Sequence, residues 1–328
     1  MRLISNLKYS RTVLAVDLGG TKIIAGIISD GQVIAKERCL TPADEGPQSV
    51  ISRLFSTIDH LLKLKGMKVS QLDSISLAVA GAIDIKRGLV TSSPHLPGWH
   101  DVPIRDMVRE KYGVDTFLLN DASAAALGEH RFGAGRGVSN LVLLTVGTGI
   151  GGGIIINGGL YNGPCGSAGE IGHMTIDVDG AGCKCGNTGC LETLASGTAM
   201  AAEARKRIAR GEKSSMVGMV AGKIEEITAE KIGAAAREGD SLALDVIAGV
   251  GTYLGVGMVN LVNIFNPEMI VVGGGVANLG ELLLDPARRV VKERAFRLPA
   301  QAVRIVPARL GDEGSLLGAA VFAREQSR

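Results

Sequence analysis

Two stretches of this chain, 128 residues apart, carry one pattern, and that repeat limits the possible folds more than any other feature. The first runs as an apolar strand into Asp17, a turn at Gly19, Gly20, Thr21 and Lys22, and a second apolar strand to Ile28. The second starts at Leu141, turns at Gly147, Thr148 and Gly149, and leaves through Ile150 to Ile156. Each reads as a buried hairpin. Two copies predict a duplicated domain with a cleft between its halves. Further strands are predicted at 74–80, 116–119, 269–272 and 303–306. Amphipathic spacing predicts helices at 47–65, 102–112, 122–131, 197–210, 228–239, 241–265, 279–295 and 314–325. Hairpins followed by alternating helices and strands give an α/β fold with a mixed sheet in each half. The stretch 211–226 is polar and without period, and reads as a surface insertion.

The turns also carry chemistry. Bare glycines let phosphate oxygens approach several backbone N–H groups at once, so the Asp17–Lys22 turn is an anion cradle. Asp17 cannot bind phosphate itself; its natural partner is a bridging cation, Mg²⁺. The second turn formally matches GxGxxG, but a strand rather than a helix follows, which argues against a dinucleotide site. The GxxxxGK[ST] pattern is absent, so this is not a P-loop enzyme. Two such turns facing each other across a cleft suit a triphosphate. Gly273, Gly274 and Gly275 follow a strand and precede a helix, where they either admit a nucleotide against backbone or serve close packing. Clustering of this kind accounts for much of the glycine content, 46 of 328 residues, about twice the usual ~7%.

Asn120 and Asp121 close a predicted strand and open a helix. By local pattern Asp121 is equally an N-cap or a general base. His173, Cys183, Cys185 and Cys190 match a closed Cys₃His site for structural Zn²⁺. Zinc peptides bind with about 10–16 kcal/mol, so this loop is expected to be disordered without metal. Glu170 and Glu192 bracket these ligands without being needed by them. They are either solvated surface groups or acceptors for the vicinal hydroxyls of a sugar.

Other function classes are excluded. A net charge of +2 gives no electrostatic reason for a nucleic-acid or membrane partner, and 3% aromatics leaves few stacking platforms. The charge-free run 246–267 contains Gly255, Gly257, Asn260, Asn263 and Asn266 and lacks basic anchors, so a buried core helix is expected there rather than a membrane span. The first residues hold no apolar stretch long enough for a signal peptide, and three crowded cysteines point to a metal rather than a disulfide framework. A reducing cytoplasm is expected.

Taken together, DLGGTK (17–22), GAIDIKRGLVTSSPHLPGW (81–99), LNDASAAALGE (119–129), VGTGIGGG (146–153), EIGH (170–173), CKCGNTGCLE (183–192) and VVGGGV (271–276) resemble the ROK family of sugar kinases and repressors, most of all its bacterial-type glucokinases. The resemblance covers essentially the whole chain. It implies a two-lobed, actin-like (ribonuclease H-like) fold: residues 1–119 with a returning helix at 313–328 form the small lobe, and 120–312 the large lobe with the zinc site. It implies Mg·ATP-dependent phosphorylation of the glucose 6-hydroxyl with Asp121 as catalytic base. Gly81, His95, Asn120, Asp121, Glu170, His173 and Glu192 would surround the sugar. Asp17, Gly19, Gly20, Thr21, Lys22, Gly147, Thr148 and Gly149 would hold phosphates, and Gly273, Gly274 and Gly275 the adenosine end. A homodimer is implied as well.

The chain departs from the family in one respect. Family glucokinases commonly have asparagine in PNLPGW where this chain has His95, which changes the shape and reach of the hydrogen-bonding group. Kinases of N-acetylglucosamine or N-acetylmannosamine are therefore carried beside glucose. ROK repressors place a helix-turn-helix domain before the first phosphate motif, and sixteen residues before Asp17 are too few for one. A catalytically silent sugar sensor is disfavoured by the presence of Asp17, Asp121 and all three glycine turns.

Overall fold

The computed structural model describes residues 12–327; residues 1–11 and 328, which include most of the segment read for a targeting signal and the outer ends of the expected small lobe, lie outside it. The first half begins with β1 (Val13–Leu18), β2 (Lys22–Ser29) and β3 (Gln32–Leu40), an antiparallel meander. Helix α1 (Pro47–Leu64) follows, then β4 (Ser74–Val79). Pro at the helix start and Val50, Leu54, Ile58 and Leu61 on one buried face account for α1. A small antiparallel sheet comes next, of β5 (Ala82–Asp84), β6 (Leu89–Ser92) and β7 (His100–Val102). Helix α2 (Ile104–Tyr112), β8 (Thr116–Asn120) and α3 (Asp121–Phe132) complete the half.

The second half repeats this order. It opens with β9 (Leu141–Val146), β10 (Ile150–Ile156) and the short β11 (Gly159–Leu160). The helices α4 (Leu191–Ala195), α5 (Gly197–Ala209), α6 (Met216–Met219), α7 (Ala229–Arg237) and α8 (Ser241–Phe265) follow. The chain then passes through β12 (Met269–Gly273), α9 (Glu281–Arg294), α10 (Arg297–Ala302), β13 (Arg304–Pro307) and α11 (Glu313–Gln326).

Among the described residues the strand orders are β3-β2-β1-β4-β8 and β11-β10-β9-β12-β13. In both sheets the hairpin is antiparallel and the two later strands join in parallel. The duplication is therefore real: β9 is β1 moved on by 128 positions, end for end. This is the expected α/β architecture.

Four details differ from the sequence reading. The segment 211–226 is no loose insertion, because Met216 and Val220 are buried in the core of the second half. The predicted helix 102–112 starts only at Ile104, since Val102 ends β7 and Pro103 caps the helix. Gly275–Leu279 forms a 3₁₀ turn, so the helix after the third glycine cluster begins at Glu281. Strands β3, β5, β6, β7 and β11 and helices α4, α6 and α10 were not predicted.

Helix α8 is a core helix, as expected. Its glycines face neighbours closely: a Cβ at Gly255 would lie 2.8 Å from the Ala287 carbonyl on α9, and one at Gly257 would lie 2.6 Å from Leu191. The same device joins the halves. Helices α3 and α11 cross so closely that a Cβ at Gly128 would collide with the Gly314 carbonyl, and one at Gly318 with the Ala124 carbonyl. Leu316, Leu317 and Ala320 of α11 also cover Val13, Ala15 and Ala78 of the first sheet.

Gly318→Ala should destabilise the fold by about 1–3 kcal/mol, since backbone faces the new methyl and cannot yield. Gly249→Ala on α8, where a Cβ meets open space, should instead stabilise by up to ~1 kcal/mol. Thermal melts of the two variants check both signs.

Candidate active site

The cleft is built where strand ends and helix starts meet. Asp17 lies near the end of β1, and the turn after it is closed by Gly19 N–H donating to the Lys22 carbonyl at 3.0 Å. Thr41, beyond β3, laces that turn: its N–H donates to the Thr21 carbonyl at 3.0 Å and its hydroxyl to the Gly19 carbonyl at 2.7 Å. A Cβ on Gly20 would collide with the backbone of His95, so the first turn rests directly on the loop that departs from the family pattern.

The second turn closes through Gly147 N–H to the Gly149 carbonyl at 2.9 Å. Gly197 N–H and the Thr198 hydroxyl, at the start of α5, hold the Gly147 and Thr148 carbonyls at 2.7 Å each. Gly274 has φ +88°, and a Cβ there would run into the backbone of Val146. The third glycine cluster thus adjoins the second turn, as one nucleotide running along both would require.

Asn120 and Asp121 divide the two roles that the local pattern left open. Asn120 is the N-cap of α3, its Oδ1 accepting Ser123 N–H at 3.0 Å, while its Nδ2 donates to the Gly81 carbonyl at 3.1 Å. Asp121 is the first helical residue; its Oδ1 accepts Ala122 N–H at 2.9 Å. The cap is filled without Asp121, which frees its carboxylate for the cleft.

The opposite wall carries the other acids. Glu192 Oε2 accepts Ile150 N–H at 2.8 Å, directly behind the second turn. A Cβ on Gly149 would strike Glu192 and come within 3.4 Å of His95 Nε2, which locates His95, Gly149 and Glu192 in one pocket. Glu170 Oε2 lies 3.9 Å from His173 Nε2. Ser167, just before EIGH, donates to the Ile83 carbonyl on β5 at 3.0 Å and ties this wall to the small sheet.

Burial raises the proton affinities of Asp17, Asp121 and Glu170, and like charge adds to the rise at Asp17 and Glu170. Burial, and then the Asp121 charge, push Asp17 up to about 7, against a lowering by the Ser315 hydroxyl and Lys22. Burial raises Asp121 too, partly offset by Ala122 N–H and by His95. Glu170 is raised by desolvation, with Asp121 and Glu192 adding to it and His173 opposing it; its side chain is still 48% exposed, which limits the effect. All four acids thus share one electrostatic neighbourhood.

Beside the acids, one ligand atom each from His173, Cys183, Cys185 and Cys190 lies within 4.8 Å of the others. The Cys185–Cys190 Sγ separation is 3.8 Å and that from Cys183 Sγ to His173 Nδ1 is 3.6 Å. Zn–S bonds of about 2.3 Å and Zn–N bonds of about 2.0–2.1 Å in a tetrahedron have edges of about 3.8 and 3.6 Å. The residues fit a tetrahedral ion. Burial and the neighbouring thiols push Cys190 up to about 12, a crowding that a cation among the sulfurs relieves.

These contacts bring the first turn to His95, His95 to Gly149 and Glu192, Asn120 to Gly81, and Glu170 to His173 with its three cysteines. Two neighbours were missed: Asp312, whose Oδ1 accepts Lys22 Nζ at 2.6 Å, and Ser315, whose hydroxyl donates to Asp17 at 2.7 Å. Neither has a local signal, since an acid and a serine at a helix start read as ordinary capping.

Comparison with known proteins follows the same lines. The sequence pattern of the ROK family matches residues 13–326. The chain is 37% identical over 318 residues to a glucokinase of Thermotoga maritima, covering 96% of this chain and 98% of that one. It is 35% identical to a xylose repressor of Caldicellulosiruptor bescii, covering 94% of this chain and 76% of the repressor. Among solved structures, a ROK family glucokinase from Streptomyces griseus in complex with glucose and AMPPNP superposes with a TM-score of 0.86 at 34% identity, covering 96% of this chain and 99% of that one.

The raised acids make a stability prediction for the ligand-free protein. A carboxyl whose folded pKa exceeds its unfolded value holds extra protons in the native state, so its contribution is lost as pH rises from about 4 through its folded pKa. For Asp17 that window closes near pH 7. Asp17→Asn should therefore raise the melting temperature relative to wild type at pH 8, and the gap should shrink towards pH 4.

Proposed function

The chain belongs to the ROK family, and on that footing we propose that it is a glucose kinase, transferring the γ-phosphoryl group of ATP to the sugar 6-hydroxyl. The observation that carries this reading is Asp121: half-buried, released from capping by Asn120, and close enough to Asp17 and Glu170 for its charge to act on both. In the mechanism Asp121 accepts the hydroxyl proton as the sugar oxygen attacks phosphorus in line. The rise in its proton affinity suits a base, and activity falls as pH drops through that raised value. Backbone N–H groups of the turns at Gly19–Lys22 and Gly147–Gly149, with Lys22, hold the phosphates and orient them, which supplies most of phosphoryl-transfer catalysis. Asp17 would hold Mg²⁺, whose charge would neutralise that on the transferring phosphates. Gly273–Gly275 take the adenosine end.

Glu170, Glu192, Asn120, Gly81 and His95 read the sugar hydroxyls. A site built for a hydroxyl can reject an analogue lacking it by about 10⁴-fold. Zn²⁺ belongs to the reading as a structural ion, which His173, Cys183, Cys185 and Cys190 would hold while Nε2 of His173 lies toward Glu170. Water is excluded as the lobes, 1–119 with 313–328 and 120–312, close on the sugar. A cytoplasmic homodimer completes the proposal, to be checked by light scattering.

Coupled ADP release over glucose, mannose, N-acetylglucosamine and N-acetylmannosamine tests the assignment. Glucose is expected to lead. A lead for an N-acetylated sugar would move the substrate to His95's account, and nucleotide binding without turnover on any sugar would favour a sugar-responsive regulator. Asp121→Asn should lower kcat by about 10²–10⁴ while glucose still binds; turnover at the wild-type rate would remove the base assignment. Strong chelation should release one zinc per chain and abolish glucose binding, with recovery on adding Zn²⁺ back.

A further inference from the structure

Ser315 is a buried hydroxyl on α11, 7% exposed, and it reaches across 298 positions of sequence to donate to Asp17 Oδ2 at 2.7 Å. Among the described residues it is the side chain hydrogen-bonded to that carboxylate. Asp17 sits beside Asp121 and Asp312, both of which repel it, so without a donor nothing holds its carboxylate in one rotamer. The start of α11 is itself fixed. Lys22 Nζ at the start of β2 meets Asp312 at 2.6 Å and Lys36 Nζ on β3 meets Glu313 at 2.7 Å, so two neighbouring strands contact the start of the helix. Behind it, the buried Glu129 of α3 accepts the N–H groups of Arg309 and Leu310 at 2.8 and 2.7 Å and that of Ala134 at 2.7 Å. The hydroxyl is thus delivered to Asp17 from a support locked to the helix that carries Asp121.

We propose that Ser315 is a positioning residue for phosphoryl transfer, orienting the Asp17 carboxylate toward the Mg²⁺ of the bound nucleotide. The proposal rests on the kinase reading above. It differs from a structural role for Ser315 in being specific to the metal-dependent part of nucleotide binding.

The test is calorimetric binding of a non-hydrolysable ATP analogue to the full chain, with and without added Mg²⁺. Ser315→Ala should weaken binding of the Mg²⁺ complex about tenfold, the scale of a hydrogen bond to a charged group. Binding of the analogue without Mg²⁺ and the response of Trp99, the single tryptophan, to glucose should stay at wild-type values, although the melting temperature falls with the loss of a buried hydrogen bond. Ser315→Thr, which keeps the hydroxyl, should restore the Mg²⁺ dependence. An equal loss with and without Mg²⁺, a loss in the Thr variant as large as in the Ala variant, or no loss in either would overturn the proposal. A wild-type chain that binds no nucleotide would bring down the kinase reading itself, and this inference with it.

Discussion

Helices α3 and α11 meet backbone to backbone, and the geometry of the cleft is referred to that crossing. Gly128 against Gly314 and Gly318 against Ala124 leave no room for a methyl group between the chains. The N-terminus of α3 carries Asp121, and the start of α11 carries the partners of Asp17 and Lys22. A shift of either helix by the width of a side chain would separate Asp121 from Asp17 and its partners. Interiors this dense switch between discrete packings rather than deforming smoothly, so the crossing is a fixed reference for both halves.

Around that reference, the cleft collects groups that repel. Asp17, Asp121, Glu170 and Glu192 lie in one neighbourhood, and burial there raises the proton affinities of Asp17, Asp121 and Glu170. Hydrogen bonds supply the restraint: the distant Ile150 N–H for Glu192 and Ser315 hydroxyl for Asp17, and the adjacent Ala122 N–H for Asp121. The Cys₃His corner restrains the same wall differently, because His173 belongs to both sets, with Nδ1 turned to the thiols and Nε2 to Glu170.

Much of this was legible in the sequence, for reasons specific to each feature. The repeat fixed the two hairpins because apolar strands and glycine turns are local signals, and the zinc-type corner was visible because its ligands lie within eighteen positions. What escaped lacked local contrast. In β3, the charged run Lys36, Glu37 and Arg38 masks an alternation that is plain in its burial. Strands β5 and β7 have three residues each, too few for a period to register. Met216 and Val220 are isolated apolar residues in a polar stretch, and only the neighbours they bury against reveal them as core. Asp121 was ambiguous because capping and catalysis ask for the same residue at the same place, and it took the Asn120 side chain to separate them.

The return of α11 to the first sheet also bears on how the chain is made. Strands β1 and β4 leave the ribosome early, yet Leu316, Leu317 and Ala320, which cover their apolar face, come about 240–300 positions later. Throughout that interval the nascent first sheet presents uncovered aliphatic surface, the condition under which growing chains aggregate or recruit chaperones. The early-made half thus waits on its late-made helix, and Asp17 and Lys22 gain their partners only once α11 has been made.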